Sequence, residues 1–212
     1  MLYTIGITGG IGSGKSYICH LLEEAGFKVF YCDHEAKQII RTNRTAKDRL
    51  TELIGQNLYS VTGELNKEVM SAFICRGAQQ TAQVNAIVHP LVAEAWAELK
   101  REWSKDAPNM ESSTKRLSSS QADRQITLDQ LLSLPPEETL IMECAILFES
   151  HFHELVDHSV LIHVSQQKQL ARLMTRNHIS EEQAQAWIAL QLTEEERMER
   201  ADFILDHEQD FD

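Results

Sequence analysis

The 212-residue sequence has no apolar run of about 18 residues, so no helix that crosses a membrane is expected. Leu2 to Gly6 contains neither a basic residue nor a long apolar stretch, so we expect no secretory signal. Its cysteines show no CxxC spacing, which argues against a zinc site or a disulfide framework. These absences predict a cytoplasmic protein with reduced thiols and without a membrane partner. The cysteines are Cys19, Cys32, Cys75 and Cys144.

Basic residues are also scarce. The chain has 20 Lys and Arg against 32 Asp and Glu, a formal net charge of −12. A protein that binds nucleic acid needs the opposite sign to neutralise phosphates, so no nucleic-acid partner is expected. With 42% hydrophobic and 25% charged residues, the composition is that of a globular domain.

Glycine does not occur beyond Gly77, so tight backbone turns are concentrated in the N-terminal third. That third opens with a β-forming run, Leu2–Thr8, which a glycine cluster follows. A helical pattern over Ser16–Ala25 ends at Gly26 and leads into a second β-run, Phe27–Cys32. Strand, glycine loop, helix and strand within about 30 residues form a βαβ unit, which predicts an α/β fold with a parallel sheet.

The rest of the chain divides by pattern into helical, irregular and mixed parts. From Asp33 to about Lys100 the pattern is helical, and Pro90 is expected to start a new helix. Residues 104–138 are rich in serine and proline, which predicts an irregular insertion that adds little to the core, with a short helix around Leu128–Leu132. Strands are predicted at Thr139–Met142, Ser159–Val164 and Ala201–Leu205, and a long helical stretch at Gln166–Arg200.

The glycine cluster matches G-x-x-x-x-G-K-[ST], the phosphate loop of nucleoside triphosphate-binding proteins. Its glycines let successive backbone N–H groups converge on phosphate oxygens, and the following helix adds its positive N-terminal end. We expect the Lys15 ammonium to bridge the β and γ phosphates, the Ser16 hydroxyl to bind Mg²⁺, and the Tyr17 N–H to reach the α phosphate. The predicted ATP-binding residues here are Gly9, Gly10, Ile11, Gly12, Ser13, Gly14, Lys15, Ser16 and Tyr17.

The motif does not decide what becomes of the γ phosphate. A kinase needs a carboxylate that orients or deprotonates the acceptor hydroxyl. Asp33 follows the second strand, at the sheet edge where parallel sheets bind ligands, and it can be a catalytic base, a helix cap or both. Glu143 ends the third apolar run and is either a second magnesium ligand or an ordinary strand-end acid.

Phosphoryl transfer also needs cations over the moving phosphate. Arg172 and Arg176 are four residues apart on a predicted helix, so they share one face. They are candidates for contacts with ATP, and the alternative is an ordinary solvated helix face.

The order of several segments resembles that of the dephospho-CoA kinase family, the enzymes of the last step of coenzyme A biosynthesis. The resemblance covers nearly the whole chain except residues 104–138, and its landmarks are Gly6–Ser16, Cys32–Ala36, Asn85–Pro90, Ile146–Glu149, Gln169, Arg172, Arg176, Gln191 and Ala201–Asp202. Tyr31 stands where that family usually has a first Asp. Asp206–Gln209 replaces an Asn-rich loop near the adenine, and the sequence ends at Asp212 without the family's further helix, so we expect altered contacts to adenine.

The resemblance implies a three-layer P-loop kinase fold with a parallel sheet, a helical CoA-binding region and a small helical lid. In this single domain the core takes about 1–43, 138–170 and 200–212, the helical region about 44–103, and the lid about 171–195. The implied activity is phosphorylation of the ribose 3′-hydroxyl of dephospho-CoA by ATP with Mg²⁺, in a monomer or weak homo-oligomer.

Carried over by position, the resemblance makes Asp33 the catalytic base, with Lys15 and Arg176 also catalytic. His89 joins Asp33 on the substrate side, or merely caps a helix before Pro90. Arg172 and Arg176 bind ATP where the helix leads into the lid. The rival functions are another P-loop kinase that acts on a nucleoside or nucleotide, and a nucleotide-binding module with weakened catalysis.

Overall fold

The structure is a computed structural model that describes residues 2–106, 116–117 and 124–208. The chain forms two compact units. One comprises Met1–Tyr31 together with Glu102–Asp212, and the other is Cys32–Arg101.

The first unit is built on a parallel sheet. Its described strands are β1 (Tyr3–Thr8), β2 (Lys28–Tyr31), β3 (Gln125–Ile126), β4 (Thr139–Glu143), β5 (His158–His163) and β6 (Phe203–Asp206). They lie in the order β2-β4-β1-β5-β6-β3, and each of these neighbouring pairs is parallel. The α/β class predicted from the βαβ pattern is therefore confirmed.

The α-helices of the described residues are distributed between the two units. They are α1 (Lys15–Glu24), α2 (Cys32–Thr42), α3 (Arg44–Ile54), α4 (Lys67–Ile74), α5 (Ala78–Asp106), α6 (Leu128–Leu132), α7 (Gln166–Asn177), α8 (Glu181–Ile188) and α9 (Glu194–Arg200). Short 3-10 helices occur at Gln56–Leu58, Pro136–Glu138 and Phe152–Leu155. In the part of the chain that the structure describes, no helix is both long and apolar enough to cross a membrane.

The core of the first unit lies where β1 meets α1. All six residues of β1 are buried, as expected of a central strand covered on both faces. Ile18 and Leu22 are four residues apart, so both point from one face of α1 into the cluster that contains Ile5 and Ile7. The last residue of α1 is Glu24, and Gly26 terminates the helix as predicted, since its φ of +95° lets the Phe27 N–H bond the Leu22 carbonyl oxygen.

The described part of residues 104–138 belongs to the core, so the expectation that this segment adds little to it is wrong. β3 extends the sheet beside β6, and α6, at the predicted position, starts from a capping box formed by Thr127 and Gln130. Leu128, Leu131 and Leu134 are buried in the same cluster as β1. The expectation failed because it used the average composition of the segment. A few apolar residues are enough to join a core when their side chains face it. The serine-rich residues 107–115 and 118–123 lie outside the described residues.

The second unit is helical, as predicted, but Pro90 does not start a helix. It lies inside α5, which runs without interruption from Ala78 to Asp106. A proline in a helix interior removes one backbone hydrogen bond and costs about 3 kcal/mol. Tertiary packing can offset that cost, and Val88, Val92 and Trp96 around the proline are all buried.

The stretch Gln166–Arg200 is helical, as predicted, and it is divided into the three helices α7, α8 and α9. His178 ends α7 with φ of +53°, which is incompatible with a right-handed helix. Ser180 and Thr193 then start new helices through capping boxes with Gln183 and Glu196. Both boxes follow the pattern S/T-x-x-E/Q, so the sequence contained the signal for these breaks.

Candidate active site

The glycine motif lies in the loop between β1 and α1, at the carboxyl end of the central strand. Gly12 and Gly14 adopt left-handed φ angles of +81° and +94°. A Cβ atom on Gly14 would lie 2.5 Å from the His207 ring, and one on Gly12 would lie 3.0 Å from the Gln169 carbonyl oxygen. Glycine is thus required at both positions by backbone conformation and by space.

A cavity of about 870 Å³ opens over this loop. Gly12, Gly14, Lys15, Ser16 and Tyr17 line it from the loop and the first turn of α1. Lys168, Arg172 and Arg176 line it from α7, and none of the described lining residues is acidic. In a protein with a net charge of −12, four clustered cations form a local site for an anion as highly charged as a nucleoside triphosphate.

Lys15 and Arg172 both contact the loop backbone. Lys15 Nζ donates to the Gly9 carbonyl oxygen at 3.0 Å. Arg172 Nη1 donates to the carbonyl oxygens of Gly12 and Ser13, at 3.3 and 3.1 Å. Arg172 therefore holds the carbonyl groups of Gly12 and Ser13 and fixes the backbone of the loop on the side of α7.

Arg176 lines the cavity one helical turn beyond Arg172, as the shared-face argument predicts. Its Nε donates to Asn177 Oδ1 at 3.0 Å, and its side chain is exposed. The exposed guanidinium is therefore free of the deep packing that immobilises a core side chain, and it can reorient toward a bound phosphate.

His207 is a site residue that sequence reasoning missed. It follows β6, is 3% exposed, and its Nδ1 lies 3.1 Å from the Ser13 carbonyl oxygen. Its ring stacks on Tyr17, with centroids 5.7 Å apart and planes 9° from parallel. The sequence feature that could have pointed to His207 is its position directly after the last strand, in the segment Asp206–Gln209 that departs from the family pattern.

The end of the described chain is anchored to the start of α7. Ser165 donates to Glu208 from both its backbone N and its hydroxyl, each at 2.8 Å. These bonds to the ionised carboxylate hold the pKa of Glu208 below its usual value, with a smaller contribution from the Lys168 ammonium. Because His207 precedes Glu208, the same anchor keeps the His207 ring against the phosphate loop.

Glu143 occupies a position suited to a metal ligand. It ends β4 at the carboxyl edge of the sheet, in register with Ile7 of β1 and Tyr31 of β2, and it is buried. Burial raises the pKa of the Cys19 thiol on α1; the nearby Glu143 carboxylate raises it further, and Lys15 lowers it. Glu143 thus lies within electrostatic reach of the first turns of α1, where Ser16 offers its hydroxyl.

No described group of three or more His, Cys, Asp or Glu side chains could hold a metal ion by itself. Ser16 and Glu143 do supply the oxygen ligands that Mg²⁺ prefers. This donor set fits an ion that takes its other ligands from water and from the phosphates of a nucleotide.

Asp33 and His89 belong to the second unit. Asp33 is exposed in the first turn of α2, which already begins at Cys32, so it is not the N-cap that the sequence allowed. His89 lies inside α5, so it does not cap a helix either, and burial lowers the pKa of its imidazole. At neutral pH this shift favours the uncharged imidazole.

Comparisons with known proteins agree along nearly the whole chain. A family profile described as Dephospho-CoA kinase matches residues 3–113 and 121–212. The chain is 32% identical over 205 residues to a dephospho-CoA kinase of Bacteroides fragilis, covering 97% of this chain and 84% of that protein. It is 31% identical to a dephospho-CoA kinase of Salinibacter ruber, covering 97% and 88% of the two chains.

Solved structures show the same fold. A dephospho-CoA kinase from Campylobacter jejuni superposes with a TM-score of 0.65 at 19% identity, covering 100% of this chain and 90% of that chain. A Thermus thermophilus protein of known crystal structure superposes with a TM-score of 0.70 at 23% identity, covering 99% and 90%. At such identities the likeness establishes the architecture of the parallel sheet and its helices.

Proposed function

Because the chain belongs to the dephospho-CoA kinase family, we propose that it transfers the γ-phosphoryl group of ATP to the ribose 3′-hydroxyl of dephospho-CoA, giving coenzyme A and ADP. The observation that carries the proposal is a family match over nearly the full length of a chain whose phosphate loop opens into a cationic cavity.

On the donor side, the loop N–H groups and the start of α1 bind the phosphates of ATP. Lys15 lines the cavity and neutralises the transferred group, while Arg172 holds the carbonyl groups of Gly12 and Ser13. Arg176 reaches the phosphates from the exposed end of α7. These cations offset the negative charge that spreads over the equatorial oxygens in the transition state.

Magnesium would be held by the Ser16 hydroxyl, with Glu143 as a second ligand that acts directly or through a water molecule. When bound, the ion neutralises charge on the β and γ phosphates. The residues of the chain then have to orient the triphosphate, and Ser16 does so from the first turn of α1, beside Lys15.

On the acceptor side, Asp33 accepts the proton of the attacking ribose hydroxyl. Its support is positional. It lies two residues beyond β2, after the carboxyl end of a parallel strand, and its carboxylate is exposed rather than used in packing. His89, whose lowered pKa favours the uncharged imidazole, contributes to the substrate side as a hydrogen-bonding group. We further propose a cytoplasmic, monomeric or weakly associating enzyme.

The direct test is acceptor-dependent release of ADP. Purified protein is mixed with MgATP and dephospho-CoA, or with an equal concentration of a nucleoside or nucleotide from a panel. We expect dephospho-CoA to give the highest kcat/KM. A higher kcat/KM with a nucleoside would assign the protein to another P-loop kinase activity, and ATP binding without acceptor-dependent turnover would make it a binding module.

A further inference from the structure

A second set of contacts holds the phosphate loop, and it comes from the segment between α8 and α9. The Ile11 backbone N–H donates to Gln191 Oε1 at 2.8 Å, across 180 residues of sequence. Gln191 is itself placed by the end of α8, since its backbone N–H bonds the Ile188 carbonyl oxygen at 3.1 Å. The third residue of the motif is thus tied to the helical segment that follows α8.

Arg197 of α9 fixes the Gln191 side chain in turn. Its Nη2 donates to Gln191 Oε1 at 3.4 Å, and its Nη1 donates to Glu194 Oε2 at 3.0 Å. The same Nη1 lies 3.2 Å from where a Cβ atom on Gly10 would be, so the guanidinium packs directly on the loop.

Glu194 continues this set of contacts to the sheet. Its Oε1 lies 2.7 Å from Nδ1 of His163, the last residue of β5. A continuous polar connection therefore runs from β5 through Glu194, Arg197 and Gln191 to the Ile11 amide.

The burial of the Arg197 side chain costs stability that an apolar side chain of the same volume would not. It is 3% exposed, and its Nε has no hydrogen-bond partner in the described part of the chain. An apolar residue of similar volume would avoid both the buried charge and the unsatisfied N–H, each of which costs stability. This cost favours a role in positioning.

We propose that Gln191 is a positioning residue for ATP: it fixes the Ile11 peptide, and Arg197 holds it in place. Ile11 lies between Gly10 and Gly12, two residues without a side chain that could restrain the backbone. A loop that is already ordered loses less conformational entropy when it closes around phosphates, so it binds them more tightly. The inference rests on the proposed function, in that ATP is taken as the ligand of the loop.

The test compares Gln191→Leu with Gln185→Leu. Gln185 is an exposed glutamine of the neighbouring α8 whose side-chain amide donates to Glu181 Oε1, so it controls for the same change in chemistry. Titration calorimetry with MgATP, without any acceptor, should show a dissociation constant about tenfold higher in Gln191→Leu. Gln185→Leu should remain within about twofold of the wild type.

Three further readouts separate positioning from general damage. In Gln191→Leu the KM for dephospho-CoA should stay near the wild-type value, while kcat/KM for ATP falls with the affinity. The melting temperature should fall by no more than about 2–4 °C, because the Ile11 N–H and Arg197 each lose one hydrogen-bond acceptor. If that variant fails to fold, hydrogen exchange of the Ile11 amide in the wild-type protein decides. A slowly exchanging amide supports the inference, and an unprotected amide overturns it.

An MgATP affinity within twofold of wild type in folded Gln191→Leu would also overturn the inference. That result is distinct from a failure of the proposed function. Wild-type protein that binds MgATP but does not phosphorylate dephospho-CoA refutes the function and leaves the positioning of the loop intact.

Discussion

The chemistry of the site depends on a few side chains whose partners are parts of the backbone. Lys15, Arg172 and His207 each contact a carbonyl oxygen of the phosphate loop, at Gly9, at Gly12 and Ser13, and at Ser13 again. With these carbonyl groups engaged, the backbone of the loop is held in the conformation that its glycines allow. Lys15, Arg172 and His207 thus hold the backbone of the loop in place, and Lys15 and Arg172 also supply positive charge beside it.

Lys15→Ala tests the most direct of these roles. It removes the motif cation to which we assign neutralisation of the transferred phosphate, and we expect kcat/KM to fall by at least about a hundredfold, because a positioned charge contributes several kcal/mol in such a site. The melting temperature should barely change. The matched control is Lys28→Ala, because Lys28 is exposed and is the first residue of β2. This variant should retain wild-type turnover. Near-normal turnover of Lys15→Ala would refute the assignment of the loop.

Asp33→Asn tests the acceptor side. If Asp33 accepts the ribose proton, kcat should fall by about 10² to 10⁴ while ATP affinity stays unchanged. Because Asp33 is in the first turn of α2, the lost charge also weakens its interaction with the helix dipole by about 0.3–1 kcal/mol. Glu35→Gln removes a charge from the same turn and controls for that effect. Equal kcat values for Asp33→Asn and Glu35→Gln would remove Asp33 from the mechanism.

At the level of single residues, the sequence predicts the side chains that belong to the phosphate-loop motif. It does not predict the contacts that the motif makes with distant parts of the chain. Lys15 and Ser16 follow from the pattern G-x-x-x-x-G-K-[ST], because that spacing itself creates the phosphate loop. The bonds from Ser13 to His207 and from Ile11 to Gln191 join residues more than 170 positions apart. Local periodicity contains no information about such pairs.

Among the secondary-structure elements, α6 shows how a short segment can matter to the core. It has five residues, yet Leu131 is completely buried with Ile5 and Phe203 of the sheet. Its sequence neighbours are serines and prolines, which made the region resemble an insertion. Burial of individual side chains, rather than average composition, decides whether a segment is structural.

Leu131→Ala should therefore destabilise the protein. Removing a fully buried leucine side chain costs about 2–5 kcal/mol, depending on how far the cavity collapses. Urea unfolding at pH 7 measures the change in the free energy of unfolding. Leu190→Ala is the control, since Leu190 is 85% exposed and its loss should change that free energy by less than about 0.5 kcal/mol. A value for Leu131→Ala as small as that of the control would show that α6 is peripheral.

The helices also show where pattern reasoning fails and why. Pro90 normally indicates a helix start, but buried residues on both sides keep α5 continuous. Conversely, the apolar pattern over Gln166–Arg200 continues through two breaks, because capping boxes at Ser180 and Thr193 restart the helix with little change of composition. Tertiary packing decided the first case, and local capping decided the second.

For the molecule as a whole, the charge distribution suits an enzyme of anionic substrates. The net charge is −12, but Lys15, Lys168, Arg172 and Arg176 line one cavity in the first unit. Such a local reversal of sign attracts a triphosphate to the loop, while the negative remainder of the surface disfavours non-specific binding to nucleic acid.

The sheet is the feature of the whole molecule that the sequence predicted best. Its parallel direction followed from the βαβ pattern at the N-terminus. The order of the strands did not follow, because it places β4 between β1 and β2 and adds β3 at the far edge beside β6. Those neighbours are selected by tertiary contacts between segments more than 75 residues apart, as in the bond from Arg124 to the Ala201 carbonyl oxygen.

The central claim is that this chain phosphorylates the ribose 3′-hydroxyl of dephospho-CoA, and the product of the reaction tests it most directly. Wild-type protein is incubated with MgATP and dephospho-CoA, and the products are identified by mass spectrometry and ³¹P NMR. We predict coenzyme A with a new 3′-phosphomonoester signal, formed in equal amounts with ADP. Dephospho-CoA recovered unchanged, or phosphorylated at any other position, would contradict the claim.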